Sequence, residues 1–276
     1  MKNLKMFCLS LEPSHYEFIK ELGYIPVGLG EKNFNKDWFT DKSGANISEK
    51  NKYYGEYTFH YWLWKNYIDF NFDDSNSWIG FCQYRKFWST NNYNLLPNSI
   101  NEVKPLVLTE IPELYNKYDV ILGNPYFINQ LKIMKFLKHG LKIIVKNPSY
   151  LFDKNKRNIK FHFDLMHGYK NLDKAIDLLE IDDRKDFNEF VNSKTSFNPQ
   201  NMFICKSKKI LNNYYSTLFP WLSRCEKVFG FENLRGFAQI RIYTFLAERF
   251  MSYWFQKNAK TNTMPILFYD IRKDIK

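Results

Sequence analysis

The sequence predicts an α/β protein: a mostly parallel sheet flanked by helices, followed by a helical C-terminal third that acts as a lid or buttress. Three observations predict it. Short apolar runs recur at 4–11 (LKMFCLSL), 78–88 (WIGFCQYRKFW), 118–123 (YDVILG) and 201–206 (NMFICK). Helical spacing fills much of the chain between them. The run that starts at Trp78 is apolar on both faces, as a central parallel strand requires.

The elements follow in order. Residues 4–11 read as a buried strand, and a Pro-Ser loop then leads to a short helix over 14–22. YIPVGLGEKNFN (24–35) reads as a strand that breaks into a Gly-punctuated loop, with a polar stretch from Asp41 to Asn51 after it. From Tyr53 to Tyr67 the pattern turns helical, because Tyr57, Tyr61, Trp64 and Ile68 recur every three or four residues. A turn-rich gap, NFDDSNS (71–77), leads into the strand at 78–88. Residues 131–190 read mainly as helices with polar links, and long helical patterns cover 207–228 and 236–257. No repeat or low-complexity block is visible.

The chain has 276 residues, of which 45% are hydrophobic, enough for a sizeable core and against wholesale disorder. Aromatics reach 19%, which suits stacking on flat ligands but equally suits core filling. A formal charge of +11 points to nucleic acid, an anionic membrane surface or a small phosphorylated ligand. The Lys and Arg residues are dispersed, and zinc-finger spacing, an RNP-like strand and a basic zipper are absent, so nucleic acid ranks last. Cys8, Cys82, Cys205 and Cys225 stand singly, the pattern of a reducing compartment. The first apolar run is too short for a signal peptide, and no stretch approaches the ~20 apolar residues of a membrane span. A cytoplasmic protein is expected, soluble or peripheral on the inner face of the membrane.

GxSxG, HExxH, Walker and GxGxxG motifs are absent, and GLGEKN (28–33) reads as an ordinary turn. Four clusters could carry chemistry. In 43–66, Asn46, Ser48, Lys50, Asn51 and Glu56 lead into an aromatic helix whose N-terminus could receive a diphosphate. A capped helix with packed rings is the simpler reading of that spacing. In the second cluster, Gln83, Tyr84, Arg85 and Lys86 end the predicted central strand, the edge where open α/β sheets bind ligands. Two cations beside a tyrosine could meet a pyrophosphate and stack a base or sugar. A solvated strand end explains Lys86 but explains the Gln-Tyr-Arg run less well. The third cluster holds His162, Asp164, His167 and Asp173, which could act as acid/base or orienting groups, or ligate metal through the two histidines. Satisfied polar residues are the plainer account. In the fourth, Arg241, Glu248 and Arg249 interrupt an apolar helix and need partners, as an ion-pair network or the wall of a site.

YIPVGLG, DKSGANISEKNKYYGEYTFHYWLWKN, IGFCQYRKFW, YDVIL, HGYKNLD, NMFI and RIYTFLAERF occur in that order. Together they resemble the DUF4422 family of bacterial capsular and exopolysaccharide glycosyltransferases, over about residues 24–255. Three positions depart from the family pattern: Gln83 stands where His is usual, Asn171 where an acid is usual, and Thr244 where Gly is usual. The resemblance implies a GT-A-like, Rossmann-like fold in a single domain, 1–276. A nucleotide-sugar-binding half would cover 1–130, and a mainly helical acceptor-side half 131–276.

It further implies transfer of a sugar from a nucleotide donor to a growing capsular, O-antigen or exopolysaccharide glycan. Galactofuranose from UDP-galactofuranose is the first expectation. The alternative is a non-catalytic carbohydrate-binding or assembly protein of a polysaccharide locus. Carried onto this chain, the donor site would comprise Val27, Gly28, Asn46, Lys50, Asn51, Glu56, Gln83, Tyr84, Arg85 and Lys86. His167, Asp173 and Glu248 would be catalytic, with Arg241 and Arg249 on the acceptor side or site wall. In many GT-A enzymes the corresponding strand ends in Asp-x-Asp and holds a divalent metal. Here it ends in Gln83-Tyr84-Arg85, so Arg85 and Lys86 are expected to stabilise the leaving diphosphate without a required metal, Mn or Mg being the fallback. The implied partners are a UDP-sugar, an oligosaccharide or lipid-linked acceptor and an anionic inner-membrane surface, and not nucleic acid.

Overall fold

The computed structural model describes residues 3–71, 77–92, 97–130 and 149–273. Strand β1 (Asn3–Ser10) is apolar on both faces because both faces are covered: Met6, Phe7, Cys8 and Leu9 are all buried. Helix α1 (Tyr16–Glu21) returns the chain to β2 (Ile25–Gly28), and β3 (Phe39–Thr40) follows. After α2 (Asn51–Tyr54), α3 (Tyr57–Asn66) and one more helical turn over Ile68–Asn71, the chain enters β4 (Ser77–Gln83) and β5 (Lys86–Trp88). Strands β6 (Val120–Gly123), β7 (Tyr126–Phe127), β8 (Ser196–Phe197), β9 (Phe203–Cys205), β10 (Thr261–Met264) and β11 (Ile266–Phe268) complete the described set. The main sheet runs β10-β6-β9-β4-β1-β2-β3, with β5 paired to β4 and β11 to β5. Its β3-β2-β1-β4 part is parallel.

The expected α/β architecture is present, with four differences. The run at 78–88 is a hairpin, Gln83 opposite Lys86 with Tyr84 and Arg85 in the turn, because two polar residues at the strand end let the chain reverse into water. The helix expected over 53–67 is broken where Gly55 takes a φ of +55°, a conformation open to glycine. Strand β9 runs antiparallel to both β4 and β6. The helical C-terminal third (α7 Lys208–Phe229, α8 Gly236–Ile240 and α9 Ile242–Asn258) ends in strands, β10 joining β6 and β11 joining β5. Between β7 and β8 lie α4 (Ile159–His167), α5 (Asn171–Ile176) and α6 (Ile181–Ser193). The expected helical content of 131–148, and most of the gap at 71–77, lie outside the described residues.

The chain divides into two compact units: 1–124 with 200–216 and 255–276, and 125–199 with 217–254. In the first, side chains of β1 alternate between two cores. Cys8 joins Trp78, Phe87 and Trp88 on one face. Phe7 packs against Phe59 at 5.4 Å on the other, and Phe81 against Phe203 at 5.0 Å. The second unit is built on Phe187, Trp221 and Phe250, with Trp221 and Phe250 4.9 Å apart and the Trp221 indole N–H donating to the Ala175 carbonyl at 2.7 Å. All four cysteines are free and buried, as small hydrophobes. Among the described residues no helix is long and apolar enough to cross a membrane.

Candidate functional site

The registers of the parallel strands set one edge of the first unit. Ser10 of β1 stands opposite Gly28 of β2, and Leu9 stands opposite Gln83 of β4, so three strands end side by side. Beyond the ends of β1 and β2 opens a cleft of about 670 Å³, walled by Leu11, Glu12, Gly30, Lys32, Ser48 and Asn51 among others. That size suits a nucleotide-sized ligand. Gly28 is required by packing, since a Cβ there would lie 2.4 Å from the Phe34 ring. Gly30 has a φ of +80°, which lets the backbone turn into the cleft wall. Lys32 pairs with Glu12, and the Lys42 ammonium donates to the Lys32 carbonyl at 3.1 Å.

A polar network gathers where β4 ends. Glu56, at the start of α3, accepts from the Asn201 amide at 2.8 Å and from the Gln83 amide at 3.3 Å. Gln83 also donates to the Gln200 carbonyl at 3.0 Å, and its own carbonyl oxygen accepts from Lys86 at 2.9 Å. The Tyr57 hydroxyl donates to Asn201 Oδ1 at 3.1 Å and lies 3.1 Å from the Tyr214 hydroxyl. Gln200 and Asn201 sit consecutively in the left-handed region, with φ of 79° and 54°. For residues with a Cβ that backbone stores strain, and strain of this kind collects at functional sites. The antiparallel course of β9 brings these two residues to the end of β4.

Of the expected donor residues, Glu56, Gln83 and Lys86 therefore meet in one network, and Asn51 lines the cleft. Val27 is wholly buried in β2. Asn46 and Asn51 organise the backbone: Asn46 accepts from Ser48, and Asn51 donates to the Gly55 carbonyl at 2.9 Å and to the Thr58 hydroxyl at 3.1 Å. Lys50 is half-buried in the turn before α2, and Tyr84 and Arg85 form the β4–β5 turn. At the end of β4, Gln83, Tyr84 and Arg85 themselves supply none of the carboxylate oxygens that Mg²⁺ or Mn²⁺ prefers. Among the described residues no group of three His, Cys, Asp or Glu side chains is placed to hold a metal.

The expected catalytic residues lie in the second unit. His167 is buried against Phe245 at 4.0 Å, with Nδ1 3.0 Å from the Ala238 carbonyl. Burial first, and then the Arg249 charge, push its pKa well below the ordinary histidine value. Asp173 pairs with Lys160 and keeps 36% of its side chain exposed. Glu248 pairs with Arg249, whose guanidinium lies 4.2 Å from the Phe197 ring centre with Phe163 and Phe245 also near. Arg249 Nη2 also lies 3.4 Å from His162 Nδ1, so the two histidines of α4 serve different neighbours. Arg241 ends α8 and stacks on Phe237 at 5.6 Å.

Sequence reasoning missed Asn201, Gln200, Tyr57 and most of the cleft wall. Asn201 carried one legible signal, an Asn-Pro-Gln-Asn run before a strand, since asparagine tolerates the left-handed region. Asp41 was missed too. It is wholly buried where the matched polar block begins, and burial raises its carboxyl above the usual range, opposed by the Thr58 hydroxyl.

The model of the DUF4422 family, described as a domain of unknown function, matches residues 11–259, and the chain belongs to that family. No curated protein matches it. Among solved structures it is similar to the apo structure of WbbM, a bifunctional glycosyltransferase, with a TM-score of 0.70 and 20% identity. The match covers 96% of this chain and 45% of WbbM, so the chain spans less than half of that protein. The likeness establishes the fold, a GT-A-like α/β fold.

Proposed function

We propose that the chain is a glycosyltransferase that moves a sugar from a nucleotide donor to a hydroxyl of a glycan. One observation carries the reading: an open cleft of nucleotide size lies at the carboxyl ends of β1 and β2, and β4, paired to β1, ends at the same edge of the sheet in the Glu56–Gln83–Asn201 network. Ligands of open α/β sheets bind at that edge. Membership in the family and the shared fold with a glycosyltransferase point the same way.

In the reaction the bond from the sugar's anomeric carbon to the diphosphate oxygen breaks, and the diphosphate leaves with the electron pair. Arg85 and Lys86 meet that growing charge. The acceptor hydroxyl forms the new bond and gives its proton to a base. Glu248 is paired with Arg249, Asp173 with Lys160, and burial weakens His167 as a base, so the identity of the base is left to mutagenesis of these three residues. UDP-galactofuranose is the first donor to test, with a lipid-linked acceptor in capsule, O-antigen or exopolysaccharide synthesis. The charge of +11 would favour an anionic membrane surface at the inner face.

The test is a panel of nucleotide sugars, scored by donor hydrolysis and by thermal stabilisation with UDP, for wild type and Arg85→Ala. We expect UDP to stabilise the wild type and one UDP-sugar to be hydrolysed, with Arg85→Ala slower by about a hundredfold. Silence toward every nucleotide would overturn the reading and favour a non-catalytic carbohydrate-binding role.

A further inference from the structure

The turn that ends β4 has a second arginine beside it. Strand β11 pairs with β5, Phe268 opposite Lys86, and the Tyr269 N–H donates to the Arg85 carbonyl at 3.2 Å. This pairing lays the segment after β11 along the Tyr84–Arg85 turn. Arg272, from that segment, holds its guanidinium 5.9 Å from the centre of the Tyr84 ring, and Arg85 holds its own 4.9 Å from the same centre. His15 packs on that ring at 4.9 Å, and its Nδ1 lies 2.6 Å from the hydroxyl of Ser10, the last residue of β1. The same hydroxyl accepts from the N–H of Glu12 in the cleft wall at 3.1 Å. Two guanidiniums therefore share one aromatic platform, tied through His15 and Ser10 to the rim of the cleft.

Asp270 is their counter-ion. It takes Arg272 Nε at 2.9 and 3.1 Å through its two oxygens and Nη2 at 2.5 Å. These bonds hold its carboxyl below the usual range, and the Arg85 charge adds a smaller effect in the same direction. The Glu12 carboxylate also acts on Arg272 but is paired with Lys32, so two arginines facing Asp270 leave the notch net positive. A carboxylate held by a guanidinium fork also mimics how a phosphate would be held. Arg272 lies beyond residue 259, where the family match ends, so nothing in that match assigns it a role.

We propose that Arg85 and Arg272 together clamp a diphosphate at this edge, with Asp270 as the internal anion that the ligand displaces. The clamp deepens the donor reading above and rests on it for the ligand's source, the diphosphate of a nucleotide sugar. A phospholipid headgroup would offer the same phosphate chemistry.

Calorimetry with UDP, uridine and inorganic pyrophosphate, and co-sedimentation with phosphatidylglycerol vesicles, would compare wild type, Arg272→Gln, Arg85→Gln and Asp270→Asn. Each arginine variant should weaken UDP and pyrophosphate binding by about tenfold and leave uridine binding unchanged, as loss of one charge-assisted pair implies. Asp270→Asn should tighten both phosphorylated ligands several-fold, an effect that a merely structural Asp270–Arg272 pair would not produce. UDP binding unaltered by Arg272→Gln would overturn the clamp while leaving the donor reading intact. Equal loss of uridine binding would also overturn it, by showing general damage to the fold. Vesicle binding lost with UDP binding unaltered would overturn it in favour of a lipid headgroup. Pyrophosphate clamped as described, without turnover of any nucleotide sugar, would uphold the clamp and sink the proposed activity.

Discussion

Glu56, which caps α3 in the first unit, and Glu248, within α9 of the second, are both carboxylates among aromatic side chains, and the structure treats them in opposite ways. Glu56 is half-buried and accepts from two neutral amides, Gln83 and Asn201, which orient it. Glu248 is 9% exposed and faces Arg249, which is itself enclosed by Phe163, Phe197 and Phe245. An ion pair in such surroundings uses up both charges on each other. The contrast teaches that a charge in an apolar helix, legible in the sequence, is not yet a reactive charge. What matters is whether its partner is neutral or ionic.

The largest expected effect tests the ionic side. Arg249→Met should lower the free energy of unfolding by about 3–5 kcal/mol, because it strands Glu248 in an apolar pocket. Urea denaturation reads this, and adding Glu248→Gln should restore most of the loss. Unchanged stability with abolished transfer would break the comparison and make the pair part of the chemistry.

The next effect tests the neutral side. Glu56→Gln should keep unfolding free energy within about 1 kcal/mol, since amide for carboxylate preserves shape and most hydrogen bonding. Donor hydrolysis should fall by about a hundredfold if that charge acts on the ligand. A stability loss as large as that of Arg249→Met would erase the distinction between the two regions.

The smallest effect sharpens it through pH. His60 is wholly buried in the first unit, with Nδ1 2.7 Å from the Tyr215 hydroxyl, and burial lowers its pKa to about 3. The native side chain stays neutral while the unfolded one takes up a proton below its ordinary value of 6.5. Stability is therefore full above pH 6.5 and is lost as pH falls toward 3, at up to about 1.4 kcal/mol per pH unit from this group. His60→Phe should flatten that slope between pH 6.5 and 5, as read from urea midpoints. His167 adds a slope of the same sign that depends partly on the Arg249 charge, so Arg249→Met should relax it while His60→Phe leaves it in place. A wild-type slope of zero would contradict both assignments.

Much of the candidate site was legible because it lies in short contiguous blocks. The helix that begins after Glu56 and the strand that ends at Gln83 each announce themselves by local periodicity, and both residues reach the same network. The turn at Tyr84–Arg85 was read as continuing strand because Phe87 and Trp88 resume the apolar pattern at once. Arg272 was passed over because nothing local marks it, and only the pairing of β11 with β5 brings it to Tyr84.

By itself the sequence determined the α/β class, the first strand and helix, the strand that ends in Gln83 and the family block around Glu56. All of these depend on side-chain period and on neighbours a few residues away. Only the tertiary structure decided that β9 runs antiparallel, and so carries Gln200 and Asn201 to the end of β4 and not to the far side of the sheet. An apolar run of three to six residues buries equally well in either direction. Its direction is chosen by hydrogen bonds to strands more than eighty residues away along the chain, and no local pattern records that choice.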